Sequence, residues 1–228
     1  QLAPYYVTRN YNYLEKEEAL PDGVYLDVFS VIEPDECINE LHKMTRKECV
    51  EKRCECFEII RSKGMIVSSE EPLDKFVNHL DLVHHGPYAY AIWESVNAKP
   101  YGIPVPLFNL VYHDSIIIPW SVTGSGGWGY PKEDACFLHA ILNGGMPYLS
   151  MNPNETELKR VDIVTKLHSV VGKSRMISHS FVDYKFRKQQ SEFSCRTKVF
   201  VDFAAGDFKI TFADGLVIDG NVNDKSMV

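Results

Sequence analysis

Two short apolar runs that each carry a carboxylate at or near their end, with one helix's worth of polar chain between them, constrain this sequence more than any other feature. GVYLDVFS (residues 23–30) is β-branched and aromatic around Asp27, and MIVSSE (residues 65–70) closes on Glu70. Apolar runs of this length predict strands buried on both faces, the strands of which parallel sheets are built. Between them Thr45 stands three residues before Glu48, the spacing of a capping box. Val50, Cys54, Phe57 and Ile60 or Arg61 then fall on successive turns, and Gly64 supplies a stop.

The alternation continues. Pro72 opens a short amphipathic helix with Leu73, Phe76, Val77 and Leu80, and DLVHH (residues 81–85) predicts a third strand. VPLFNLVYHD (residues 105–114) predicts a fourth. After the glycine-rich SGGWG (residues 125–129) a helix is expected over 133–142, a fifth strand in MPYLSM (146–151), and a helix near 155–171. Strand and helix in turn predict an α/β fold, a parallel sheet with helices outside it. From about Tyr184 the period changes to two. KVFVDFA, FKITF and LVIDG are divided by Gly206 and by Asp214-Gly215, which predicts three or four antiparallel strands. The expected domains are therefore 1–182 and 183–228. Five parallel strands cannot close an eight-stranded barrel, so the chain is expected to be a piece of a larger polypeptide.

Charge narrows the partners. A net charge of -7 and a pI near 5.6 exclude a nucleic-acid scaffold, which needs clustered Lys and Arg, and favour a neutral ligand. The 12 Tyr, 12 Phe and 3 Trp suit sugar faces as well as a core. None of the six cysteines forms a C-x-x-C pair, so no zinc site is expected; reduced thiols hint at the cytoplasm, although the compartment itself is not legible. No apolar run reaches the roughly 18 residues of a membrane span, and no signal peptide precedes the first strand.

Asp27 and Glu70 form the central constellation. Neighbouring parallel strands lie about 4.8 Å apart, so two strand tips bring two carboxyl groups within several ångströms. A retaining glycosidase needs that pairing: an ionised carboxylate attacks the anomeric carbon while a protonated one donates to the leaving oxygen. Aspartate suits the nucleophile and glutamate the acid/base. Glu71 is a rival acid that strand alternation would turn to the opposite face. Tyr25 shares the face of Asp27 and can give it a hydroxyl. His84, His85, His113 and Asp114 add polar groups to two further strand ends, as sugar contacts or as core groups bonded to backbone. Trp128, with Trp120 ahead of the same loop, suits stacking on a pyranose ring or anchoring the loop. Ser68 and Ser69 lie in no G-x-S-x-G elbow, which argues against a serine hydrolase.

Taken together, GVYLDVFS, the Thr45-Arg46 helix, SKGMIVSSE, LDLVHHGPY and VPLFNLVYHDSII resemble the catalytic barrel of glycoside hydrolase family 129, a relative of the family 101 endo-α-N-acetylgalactosaminidases. The stretch from ILNGGMPYLSM through FVDYKF to KVFVDFA resembles the end of that barrel and the following β-sandwich. The resemblance implies the C-terminal part of a (β/α)8 TIM barrel, then the start of an antiparallel β-sandwich. It also implies a retaining α-N-acetylgalactosaminidase acting on mucin-type glycans, with the nucleophile on Asp27 and the acid/base on Glu70. Tyr25, His84, His85, His113, Asp114 and Trp128 stand as substrate-binding candidates. The family's D-G-T turn is here Ser194-Cys195-Arg196-Thr197. No cofactor is required, though a divalent cation such as calcium can support such a pocket. Three readings compete: a retaining glycosidase for another α-linked sugar, a carbohydrate-binding remnant without catalysis, and a metallohydrolase using His84, His113, Asp27 and Glu70. The metallohydrolase has no H-E-x-x-H motif behind it.

Overall fold

The computed structural model describes residues 2–84, 105–120, 122 and 134–224. The chain forms two compact units, Gln1–Gly86 and Pro87–Val228. Among the described residues no helix is long and apolar enough to cross a membrane.

The first unit runs α1 (Ala3–Lys16), β1 (Gly23–Tyr25), α2 (Arg46–Arg61), β2 (Ile66–Glu70), a 3₁₀ helix (Asp74–His79) and β3 (Leu82–His84). Its sheet is parallel, in the order β1-β2-β3, with Tyr25 opposite Ser68 and Glu70 opposite His84. The capping box is complete: the Thr45 hydroxyl accepts from the Glu48 amide at 3.2 Å, and Glu48 accepts from the Thr45 amide at 2.7 Å. After α2, Gly64 takes a left-handed φ of +79°, the conformation that ends a helix without a steric penalty. Phe57, Ile60, Val67, Phe76 and Val83 are fully enclosed, and Phe57 stands edge-on to both Phe29 and Phe76. This core fixes α2 and the 3₁₀ helix against the strands.

The second unit begins with a correction. Residues 105–114 are not a strand: Leu107–Tyr112 is a helix, α3. Periodicity cannot separate a short apolar run in a strand from one in a helix. Pro106 decides it, having no amide to lose in a first turn, and its carbonyl accepts from the Leu110 amide at 2.9 Å. Asn109 then fastens the helix through a buried 2.6 Å bond from its amide to Asn143. The expected fifth strand shrinks to Met146–Pro147 (β5), parallel to Pro119–Trp120 (β4). α4 spans Asp134–Leu142, and α5 spans Glu155–Val171 with Asn154 as its N-cap.

The antiparallel sheet is larger than expected. It has five strands, β6 (Met176–Phe181), β7 (Lys188–Phe193), β8 (Lys198–Asp202), β9 (Asp207–Thr211) and β10 (Val217–Asn221), each paired with the next in sequence. It starts at Met176, ahead of the change of period near Tyr184. Polar residues in MISHSF and KQQSEF hid the first two strands. One reason is that Gln189 and Ser191 point inward yet are buried with partners, Ser191 donating to the Leu142 carbonyl at 2.7 Å. Phe193, Val199, Val201, Phe208 and Ile210 line the same face, where Phe137 of α4 meets Phe208 edge-on. His139 of α4 is enclosed and stacks on Phe203 at 4.3 Å, while His179 bonds Gln189 at 2.9 Å. The Ser194–Thr197 stretch turns β7 into β8, with Arg196 at φ +67°.

The parallel strands thus lie in a three-stranded and a two-stranded sheet, and no barrel closes among the described residues.

Candidate active site

Tyr25 is the hub of the first unit's carboxylates. Its hydroxyl lies 2.8 Å from Glu70 Oε2 and 3.2 Å from Asp27 Oδ1. The two bonds end to end cap the gap between those oxygens at about 6 Å. A phenol has one proton, so it donates to one carboxylate at a time. Burial, then the bond and charge of Glu70, then those of Asp27, raise the phenol above its ordinary pKa, which keeps it a donor. Asp27 is exposed and Glu70 half-buried, an arrangement open to a ligand. His84 stands on β3, its ring edge-on to Tyr25 at 5.0 Å and 81°.

β1 stops at Tyr25, so Asp27 rides on a turn rather than on a strand end. That turn is unusual. Val28, a β-branched residue, sits at a left-handed φ of +50°, and its amide donates to Glu70 Oε1 at 3.1 Å. Backbone strain at this point aims an N–H at the glutamate. Further along, Arg53 of α2 reaches over the loop and donates to the carbonyls of Ile32, Phe29 and Glu33.

Glu71 departs from the alternation argument, because the strand ends at Glu70 and Glu71 turns at φ +37°. It is half-buried, and no hydrogen bond or ion pair holds its carboxyl among the described residues. Burial first, and then the charge of Glu70, push it up to about 7. The first-turn acid of the 3₁₀ helix is Asp74.

The remaining candidates fall elsewhere. His113 and Asp114 belong to the second unit and end a helix. His113 is buried, with Nδ1 2.6 Å from the Ser174 carbonyl, Nε2 3.4 Å from the Gly144 carbonyl and its ring against Phe193. Burial lowers its pKa, so the neutral ring donates from Nδ1. Asp114 is exposed and accepts from the Ser115 hydroxyl at 3.1 Å. Trp120 is buried in β4. His85 and Trp128 lie outside the described residues. Among the described residues no three His, Cys, Asp or Glu side chains converge as metal ligands, and none of the six cysteines is in a disulfide.

No signal in the sequence marked Arg53 or the left-handed Val28. The Tyr25–x–Asp27 spacing did mark the tyrosine, since two residues along a strand return to one face.

No family model matches the sequence, and no curated protein matches it either. Solved structures do. A quadruple mutant of the α-N-acetylgalactosaminidase NagBb from Bifidobacterium bifidum is 40% identical over 92% of this chain, with a TM-score of 0.80. The same enzyme in complex with GalNAc is 38% identical over 92%, and in complex with Gal-NHAc-DNJ 36% identical over 92%, each again at a TM-score of 0.80. The chain spans about a third of the solved enzyme's length, 34% for the first two.

Proposed function

We propose that this chain is part of a retaining glycoside hydrolase of the family 129 type that releases α-linked N-acetylgalactosamine from mucin-type O-glycans. Its strand–helix portion belongs to the C-terminal part of a (β/α)8 barrel, expected over residues 1–182, and the antiparallel sheet to a β-sandwich. The observation that carries the proposal is one hydroxyl bridging two carboxylates. A separation of at most about 6 Å between their nearest oxygens suits double displacement, which uses about 5–5.5 Å. Inversion needs about 6.5–9.5 Å, to fit a water. The likeness to an α-N-acetylgalactosaminidase solved with GalNAc supports the sugar.

In this reading Glu70 protonates the glycosidic oxygen as Asp27 Oδ attacks the anomeric carbon from the β face. The bond to the aglycone breaks, the aglycone leaves as an alcohol, and a β-linked glycosyl-Asp27 ester remains. Glu70, now ionised, takes a proton from a water that attacks from the α face. The sugar leaves with its α configuration, Asp27 regains its charge and Glu70 its proton. Tyr25 holds the pair at bonding separation and donates to whichever carboxylate is ionised. His84, edge-on to Tyr25, serves as a sugar contact beside the pair. The backbone partners of His113 favour a packing role for it instead.

The test is stereochemical. The whole polypeptide containing this chain, given an aryl α-N-acetylgalactosaminide in an NMR tube, is expected to release the α anomer first. The β anomer appearing first would end the retaining assignment. Sugar binding without turnover would favour the binding remnant, and faster turnover of another α-glycoside would reassign the sugar.

A further inference from the structure

We propose that Ser69 and Ser30 are positioning residues, two buried hydroxyls that lock the turn carrying Asp27 to the strand end carrying Glu70. The inference rests on the glycosidase reading above and deepens it.

Asp27 presents a mechanical problem. The ladder between β1 and β2 ends at Tyr25–Ser68, and one further backbone bond, Leu26 amide to Ser68 carbonyl at 2.8 Å, is the last ladder support before the turn. Beyond it the turn leaves the sheet, yet the two carboxylates must keep a separation set to within a fraction of an ångström. Ser69 supplies the missing support. It is fully enclosed, its hydroxyl donates to the Leu26 carbonyl at 2.6 Å, and it accepts from the Ser30 amide at 3.2 Å. Those two partners flank Asp27, one residue before it and three after, so a single oxygen ties both ends of the turn to β2.

Ser30 completes the lock in the opposite sense. It too is fully enclosed, and its hydroxyl donates to the carbonyl of Glu70 at 2.6 Å. The Ser30 carbonyl accepts from the Leu73 amide at 3.1 Å, which anchors the turn to the segment leaving β2. The strand residue before Glu70 therefore holds the aspartate's turn, and Ser30 within that turn holds the glutamate's backbone. Within that frame the Val28 amide faces Glu70 Oε1. Strand alternation explains why two adjacent serines bond so differently. Ser68 points the other way and donates to the Val24 carbonyl at 2.9 Å, inside the ladder.

The test uses the whole polypeptide with Ser69→Ala and Ser30→Ala, turnover being expressed per folded molecule well below each variant's melting temperature. Two aryl α-N-acetylgalactosaminides are compared, one with a strongly acidic phenol as leaving group and one with a weakly acidic phenol. For Ser69→Ala, kcat is expected to fall about 10²-fold on both substrates with KM changed only a few-fold, as misplacement of the attacking group by about 1 Å would give. For Ser30→Ala the loss is expected to be greater on the weakly acidic phenol, because the displaced group is the proton donor. If either variant yields little folded protein, the other carries the test. Normal kcat per folded molecule, or loss that appears only as a lower melting temperature, overturns the proposal. Asp27→Ala is run alongside: if it turns over like wild type the site reading itself fails, whereas a dead Asp27→Ala beside normal serine variants sinks this inference alone.

Discussion

Asp27→Ala in the whole polypeptide is expected to lower kcat/KM on an aryl α-N-acetylgalactosaminide by about 10⁴-fold or more, the scale on which removal of a covalent nucleophile acts. The prediction has a signature beyond loss. With the carboxylate gone, azide can enter the space it leaves on the β face, so added azide should restore turnover and yield the β-glycosyl azide. Glu70→Ala should behave differently. Its first step slows most on poor leaving groups, and azide intercepts the β-linked ester from the other face to give the α-glycosyl azide. The two anomers assign the two carboxylates independently of rate. Glu71→Gln serves as the comparison, since a half-buried carboxyl pushed up to about 7 has the proton-holding property an acid needs. It should keep activity within about tenfold, because Tyr25 and the Val28 amide both address Glu70. Azide products in the reverse assignment would exchange the roles of Asp27 and Glu70, and an inactive Glu71→Gln beside an active Glu70→Ala would move the acid/base role to Glu71.

Gly145→Ala is expected to be the most damaging small substitution in the second unit. A Cβ there would lie 1.9 Å from Cδ1, 2.6 Å from Cγ and 2.7 Å from Nε1 of Trp120. The indole is 2% exposed and cannot yield into solvent cheaply. Its backbone is pinned as well, because the Trp120 carbonyl accepts from the Tyr148 amide and the Ile118 carbonyl from the Met146 amide, both at 2.9 Å. Either the β4–β5 pairing opens or the indole leaves its site. Overpacking costs about 1–3 kcal/mol and lost burial of a large aromatic about 3–5 kcal/mol, so about 3 kcal/mol or more is expected. Thermal unfolding of the purified chain measures it, with the tryptophan emission moving to longer wavelength. Gly215→Ala is the control: it sits at φ +91° with no atom within 4 Å of an added Cβ, and should cost only about 1 kcal/mol. Equal melting temperatures for Gly145→Ala and wild type would refute the clash.

What the sequence disclosed follows the range of the forces involved. Local rules worked where a structure is decided locally. Thr45 and Glu48 announce their helix by mutual capping, and Glu155–Val171 announces itself by an N-cap and by apolar residues on a helical period. The strands that lead to the carboxylates were legible as apolar runs, but β1 is short and largely exposed rather than buried on both faces, and Asp27 lies on the turn after it. Failures came where a distant partner decides. α1, with Tyr5, Tyr6 and Tyr13 exposed, was not anticipated and gains support from afar, Lys63 reaching Glu15 at 2.7 Å. α3 reads as a strand until Asn143, distant in sequence, is placed beside it, although Pro106 just ahead of it was a local sign. In the site, residue types and the Tyr25–Asp27 spacing were visible, but the roles of Ser30, Ser69 and Arg53 were not. Each acts on backbone atoms distant in sequence, and no periodicity encodes such a partner.

Enclosing His139 in the layer between α4 and the antiparallel sheet has a consequence for the acidity this unit can withstand. Burial, and then the neighbouring His179, bring His139 down to about 3, and burial likewise lowers His179. Released from the fold, each imidazole would take up a proton near pH 6.5. The unfolded chain therefore binds protons that the native one refuses, and stability complete above about pH 6.5 drains away as the medium is acidified toward 3. Urea midpoints measured from pH 7 to 4 should decline steadily, and His139→Phe should flatten that decline while preserving the ring stack on Phe203. An unchanged slope in the variant would place the sensitivity on other groups. A sheet built around an imidazole that must stay neutral ties this unit's endurance to near-neutral or mildly alkaline surroundings.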